Sequence, residues 1–252
     1  MPTLPDRPPR PMWQIVLGLL AGVLLLVAAA FVLPWLMPPS REGASAATDQ
    51  LPWQIQSRPD GGTQVFGLRL GSSTPSRLEE AQALWPQEVM KVALLSNSAD
   101  HLALEAYLES VRVGGLQGKL VLAAQADPAH LAAWAQRSLR GEILPSGARQ
   151  ASLHADDLAE ARRSVLGGVV FLPATRLDEA TVQQRFGTPA QRLATADGAV
   201  HLLYPERGLA ITLATEGRER PVLQYVAPAD FQQRLRAPLD AAASAPPAAS
   251  AP

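Results

Sequence analysis

The sequence predicts an α+β fold that follows one N-terminal membrane helix, and three observations lead to that class. Residues 15–33 are nineteen consecutive apolar residues, a run that occurs once in the 252-residue chain. Between residues 51 and 236 the hydrophobic period changes repeatedly between that of a helix and that of a strand. Turn residues such as Gly114-Gly115 separate neighbouring strand segments. Short helices packed on antiparallel meanders are therefore expected.

The apolar run predicts a transmembrane helix over residues 13–37. At about 1.5 Å per residue the run is roughly 28 Å long, close to the thickness of a bilayer's hydrocarbon core. Trp13 and Trp35 bracket it, at positions where aromatic residues commonly meet the headgroups. Gly18 and Gly22 form a G-x-x-x-G pattern on this helix, which indicates a possible face for a homodimer.

The charges that flank the run predict its orientation. Arg7 and Arg10 precede it and Arg41 follows it, so the positive-inside rule places residues 1–12 in the cytoplasm and the rest beyond the membrane. The chain has 2 Lys against 20 Arg, which is typical of a GC-rich bacterial genome. We therefore expect a single-pass protein of the bacterial inner membrane with a periplasmic domain. A cleaved signal peptide is the alternative, since residues 44–46 read Ala-Ser-Ala.

Composition divides the remaining chain into three parts. Residues 38–50 form a polar linker, residues 51–236 can build a core, and residues 237–252 are almost entirely Ala, Pro and Ser. A segment of that last composition predicts a disordered tail. The chain has no cysteine, so disulfides and thiolate metal sites are excluded, and a net charge of −1 provides no electrostatic footprint for nucleic acid.

Between residues 51 and 164, local signals predict a helix, three strands and two further helices. Residues 76–85 place apolar side chains on one helical face. Asp127 and Pro128 mark a helix start, and Gly141 follows its end. Asp156 and Asp157 favour the start of another helix through the helix dipole. The predicted helices are residues 76–85, 128–140 and 155–164, and the predicted strands are residues 89–95, 104–111 and 119–124.

In the second half, a strand and a helix precede a meander of four strands. The helix, residues 178–186, stops at Gly187, and Asp197-Gly198 is a two-residue hairpin turn. Arg207-Gly208 and Glu216-Gly217 reverse the chain twice more. The predicted strands are residues 169–172, 192–196, 199–204, 209–214 and 222–226. Helix followed by meander thus occurs twice. Either a duplication produced two similar halves, residues 51–150 and 151–236, or the arrangement recurs by chance, as it often does in α+β proteins.

The second half resembles the SmpA/OmlA (BamE-like) family of envelope modules. The resemblance is carried by residues 175–189, TRLDEATVQQRFGTP, and residues 198–204, GAVHLLY. Phe186, Gly187 and Pro189 match a helix that ends in aromatic-Gly-x-Pro, and Tyr204 matches the tyrosine at the end of a following strand. The resemblance implies an α+β module that binds other envelope proteins.

No residue pattern predicts catalysis, a metal site or a cofactor. The histidines, at 101, 130, 154 and 201, form no pair at helical spacing. His154 with Asp156 and Asp157 is the best candidate for an acid–base cluster, but a solvated helix start accounts for the aspartates. Trp53, Trp85 and Trp134 are expected to be core residues.

The sequence therefore predicts a non-enzymatic, membrane-anchored envelope protein whose periplasmic domain binds another envelope protein. The alternative is an enzyme, or a subunit of one, that acts on cell wall or lipid with residues near His154 or His201. We expect the partner surface on residues 175–226. There, Leu209, Ile211 and Leu213 should face the helix of residues 178–186 while the opposite face stays free.

Overall fold

The computed structural model describes residues 51–71, 73–96, 101–139, 141–144, 147–195, 198–214 and 220–244. These residues form a three-stranded sheet, a ten-stranded sheet and five α-helices. The strands are β1 Gln56–Ser57, β2 Thr63–Val65, β3 Leu68–Leu70, β4 Lys91–Ser96, β5 Leu102–Val113, β6 Leu116–Gln125, β7 Glu142–Ile143, β8 Arg149–Ser152, β9 Val165–Pro173, β10 Gln191–Ala194, β11 Ala199–Tyr204, β12 Leu209–Ala214 and β13 Val222–Tyr225. The helices are α1 Leu78–Leu84, α2 Pro128–Arg137, α3 Ala155–Ala161, α4 Glu179–Phe186 and α5 Ala237–Ser244, the last preceded by a π-helical segment, Gln232–Arg236.

The large sheet joins the two predicted halves. Its strand order is β10-β11-β12-β13-β9-β6-β5-β4-β8-β7, and its pairs are antiparallel. We call β4–β6 the first meander and β10–β13 the second meander. Strand β9 lies between β6, the last strand of the first meander, and β13, the last strand of the second. The predicted α+β class is confirmed, and the two halves share one sheet; their origin by duplication stays a prediction.

Alternation along the strands gives this sheet a core face and an outer face. On the core face one row of directly opposed residues crosses six strands, and all six side chains are buried. The row is Ala106, Leu122, Val169, Tyr225, Leu209 and Tyr204.

The small sheet and the first four helices contribute to the core on this side. Phe66, in the turn between β2 and β3, packs its ring 5.6 Å from that of Phe171 and 5.3 Å from that of Tyr225. Trp134 of α2 and Trp85 are buried in the same cluster, as predicted. The Tyr225 hydroxyl donates a hydrogen bond to the Pro52 carbonyl oxygen at 3.0 Å, which ties the start of the domain to the sheet.

The predicted disordered tail is corrected in its first part. The helix that begins at Phe231 continues to Ser244, so residues 237–244 are helical. Phe231, Leu235 and Leu239 follow one another at a spacing of four residues, and their side chains pack in one apolar cluster. Burial of this stripe stabilises a helix in a segment whose Ala, Pro and Ser composition had predicted disorder.

Candidate functional site

The four residues that carry the family resemblance form a structural joint between α4 and the meander. The rings of Phe186 and Tyr204 lie 6.4 Å apart, and the Tyr204 hydroxyl donates to the Gly187 carbonyl oxygen at 3.0 Å. Gly187 has φ +83° and ψ −177°, a conformation essentially restricted to glycine. Pro189 follows it, half-buried. These contacts fix the angle at which the chain leaves α4.

His201 lies in a polar environment formed by two threonines. Its imidazole is buried on the outer face, where Nδ1 lies 2.9 Å from Thr212 Oγ1 and Nε2 lies 3.2 Å from Thr195 Oγ1. Both ring nitrogens thus have hydroxyl partners, which hold the ring in place. This arrangement suits a structural histidine.

His154 lies beside Asp156, with Nδ1 3.4 Å from Asp156 Oδ2, but Asp157 is not part of this group. The exposed His154 is the N-cap of α3, where Nδ1 accepts a hydrogen bond from the Asp156 amide at 3.4 Å. Asp157, predicted to be solvated, is instead 3% exposed and pairs with Arg137 of α2. The prediction was wrong for Asp157, because its partner comes from a different helix, twenty residues away in sequence.

The outer face of the second meander is covered in part, at β11 and β12, which corrects the prediction that it stays free. Phe231 and Leu235 of the C-terminal helix pack against Leu203 and Ala210 in one buried cluster. Arg234 from the same helix donates a hydrogen bond to the Gly167 carbonyl oxygen of β9. The core-face prediction for Leu209, Ile211 and Leu213 is confirmed, since all three lie in the same cluster as Val182 and Phe186 of α4.

Beyond the C-terminal helix, the outer face presents a polar groove on the first meander. The groove has a volume of about 700 Å³. It contains both lysines of the chain, Lys91 and Lys119. The two ammonium groups approach one carboxylate, Glu109, at 3.8 Å and 3.1 Å.

Tyr107 forms the floor of this groove. Its hydroxyl donates to Glu105 Oε2 at 2.6 Å, and the Lys119 ammonium lies 5.3 Å from the ring centroid. Burial raises the pKa of Tyr107, and the hydrogen bond to Glu105 raises it further, since both disfavour the phenolate. The groove therefore contains lysines that are paired with a carboxylate, arranged around an uncharged tyrosine hydroxyl.

An apolar stripe continues the groove toward the C-terminal helix. Val121 and Val170 stand opposite each other, and Leu172 stands opposite Lys119; Val222 lies at the corresponding position of β13. All four are half-buried. We call the groove and this stripe together the outer surface: Lys91, Tyr107, Glu109, Lys119, Val121, Val170, Leu172 and Val222.

On the opposite side of the sheet, an apolar pocket lies beside α4. Its volume is about 130 Å³, and Trp53, Leu177, Val182 and Phe186 are among its lining residues. Trp53 was expected in the core and is half-buried at the pocket's edge, its ring centroid 6.2 Å from that of Phe186. The charged group in the lining is Arg185, 4.9 Å from the Trp53 ring centroid.

Two features are absent from the described residues. No group of three or more His, Cys, Asp or Glu side chains there could hold a metal ion. No helix in the same residues has the length and apolar character needed to cross a membrane. The predicted anchor, residues 13–37, with Gly18 and Gly22, lies outside them.

Comparisons of the chain with protein-family models, with curated proteins and with solved structures found no match.

Proposed function

We propose that this chain is a single-pass protein of the bacterial inner membrane whose periplasmic domain binds another envelope protein through the outer surface. The anchor and the orientation rest on the apolar run of residues 15–33 and on the arginines before it. The role is that of an assembly factor or scaffold, without catalysis. Pairing of anchors through Gly18 and Gly22 belongs to the same proposal.

The apolar stripe is the observation that carries this proposal. An antiparallel sheet with one solvated face normally alternates apolar and polar side chains. Here Val121, Val170, Leu172 and Val222 occupy outward positions where that alternation would place polar residues. Apolar patches rimmed by polar groups are typical of protein-binding surfaces. The polar groove that contains Lys91 and Lys119 provides such a rim.

The occupant that fits best is an amphipathic helix of the partner. The chain's own C-terminal helix already covers the neighbouring part of the same face, with Phe231, Leu235 and Leu239 against Leu203 and Ala210. A second helix beside it would extend that layer over the stripe. Its polar side chains would then meet Lys91, Glu109 and Lys119, which favours partners that carry both signs of charge.

Site-specific photo-crosslinking in native membranes tests this proposal. A photoreactive residue at Leu172 or Val121 should crosslink to one envelope protein, and mass spectrometry should map the crosslink to an amphipathic helix. Gln136, exposed on α2, is the matched control position and should give no such product. Val170→Asp should abolish the crosslink from Leu172. Crosslinks from Gln136 alone would contradict the proposal.

The enzymatic alternative makes a different prediction for the histidines. If the chain binds without catalysis, His154→Ala and His201→Ala should leave function in the cell nearly intact at normal protein abundance. A folded, abundant variant at either position that loses function would favour an enzyme acting on cell wall or lipid.

A further inference from the structure

The apolar pocket lies on the core side of the sheet, apart from the outer surface. It is lined by Trp53 of the N-terminal segment, Val182 and Phe186 of α4, and Phe171 and Leu223 of the sheet. Leu177, just before α4, contributes to its lining. The site therefore combines one helix, two strands and the segment that enters the domain.

The pocket opens to solvent, and its lining is almost entirely apolar. Apolar side chains that line an empty space lose dispersion contacts, which a bound apolar group would restore. The pocket volume is about 130 Å³, close to that of apolar cavities of about 150 Å³ that take up benzene. It can accept one aromatic ring or one branched alkyl group, and it is too small for a long acyl chain.

The mouth of the pocket carries a positive charge. Arg185 is exposed, and its guanidinium lies 4.9 Å from the Trp53 ring centroid. Within the described part of the chain the guanidinium has no carboxylate partner, and the pocket lining contains no acidic side chain. Arginine held on an aromatic face presents its planar edge for a bidentate bond to a carboxylate.

We propose that this pocket binds a partner polypeptide through an aromatic or branched aliphatic side chain that has a carboxylate next to it. The apolar side chain fills the void against Val182 and Phe186. The carboxylate pairs with Arg185 over Trp53. Because this site lies on the opposite side of the sheet from the outer surface, the two proposals can fail separately.

Two peptides that differ in one charge test the proposal. The full chain, in detergent micelles, is titrated with acetyl-Gly-Phe-Asp-Gly-amide and with the Asn analogue, both fluorinated on the phenylalanine ring and followed by fluorine NMR. The Asp peptide should bind at least about tenfold more tightly, the effect of one charge-assisted hydrogen bond pair. Equal affinities, or no binding of the Asp peptide, would overturn the proposal.

Three variants assign the binding to this pocket. Arg185→Gln should remove the preference for Asp over Asn, whereas Gln184→Ala, the exposed neighbour on α4, should keep it. Leu177→Trp should fill the void and abolish binding of both peptides, in the same micelles. Binding that survives in a folded Leu177→Trp variant, or an unchanged preference in Arg185→Gln, would overturn the assignment. If Leu177→Trp does not fold, Arg185→Gln decides the question.

Octanoate distinguishes a polypeptide ligand from a lipid ligand with the same chemistry. It carries an alkyl chain and a carboxylate but no peptide backbone. The proposal expects it to bind more weakly than the Asp peptide. Tighter binding of octanoate, lost in Arg185→Gln, would overturn the polypeptide assignment.

Discussion

The C-terminal helix packs on the outer face of the sheet through two buried side chains. A substitution that weakens this packing is a quantitative test of the fold. Phe231 and Leu235 are 4% and 6% exposed and pack against Leu203 and Ala210. Phe231→Ala removes a buried ring and leaves a cavity, a change that typically costs about 3 kcal/mol or more. Since about 1.4 kcal/mol is a factor of ten, the equilibrium between docked and undocked helix should shift roughly 100-fold.

Hydrogen exchange is the suitable assay, because a terminal helix can undock without global unfolding. In Phe231→Ala, the amides of Gln232–Arg236 and of α5 should exchange much faster, while those of β5 and β6 keep their protection. Gln233→Ala is the control on the same helix, exposed to solvent, and should change stability by less than about 0.5 kcal/mol. Equal exchange in the two variants would refute the assigned packing.

Three further predictions follow from named groups. Gly187→Val should lower the free energy of unfolding in urea by about 1–3 kcal/mol through backbone strain alone, since no atom lies within 4 Å of an added Cβ; an unchanged value would contradict the positive φ. Burial raises the pKa of Tyr107, Tyr204 and Tyr225. The contribution of these neutral phenols to the stability of the folded state is therefore present below about pH 10 and is lost at higher pH. Ultraviolet titration of the folded protein should show no tyrosinate forming below that pH, and a tyrosine that ionises earlier would contradict the assigned burial. A reporter active only in the cytoplasm, fused after residue 244, should stay silent, whereas a strong signal would reverse the proposed orientation.

Local sequence signals, above all the turn residues, predicted most strands of the second meander. Strands β11 and β12 have the predicted bounds, because glycine-containing turns delimit them on the chain. Helix α4 ends at Phe186 as expected, since Gly187 takes a conformation that helical residues do not. Strands β7 and β8 were missed, because two and four mostly polar residues carry no clear period.

Nonlocal pairing explains what the sequence did not predict about the sites. Lys91 and Lys119 meet at Glu109 only because β4, β5 and β6 are adjacent in a particular register. The scarcity of lysine was visible, but it was interpreted as codon bias. The C-terminal helix was likewise judged by its alanine and proline content, although Phe231, Leu235 and Leu239 already carried the spacing of an apolar stripe.

Cysteine protection in native membranes tests most directly whether the outer surface binds a partner. The chain has no cysteine, so Leu172→Cys and Val121→Cys each introduce a single thiol on the stripe. The control is Val89→Cys, where the native side chain is 77% exposed. We predict that a membrane-impermeant maleimide labels all three variants after purification, but in native membranes labels Val89→Cys and spares the two stripe positions. Equal labelling of Leu172→Cys in membranes and after purification would contradict the account.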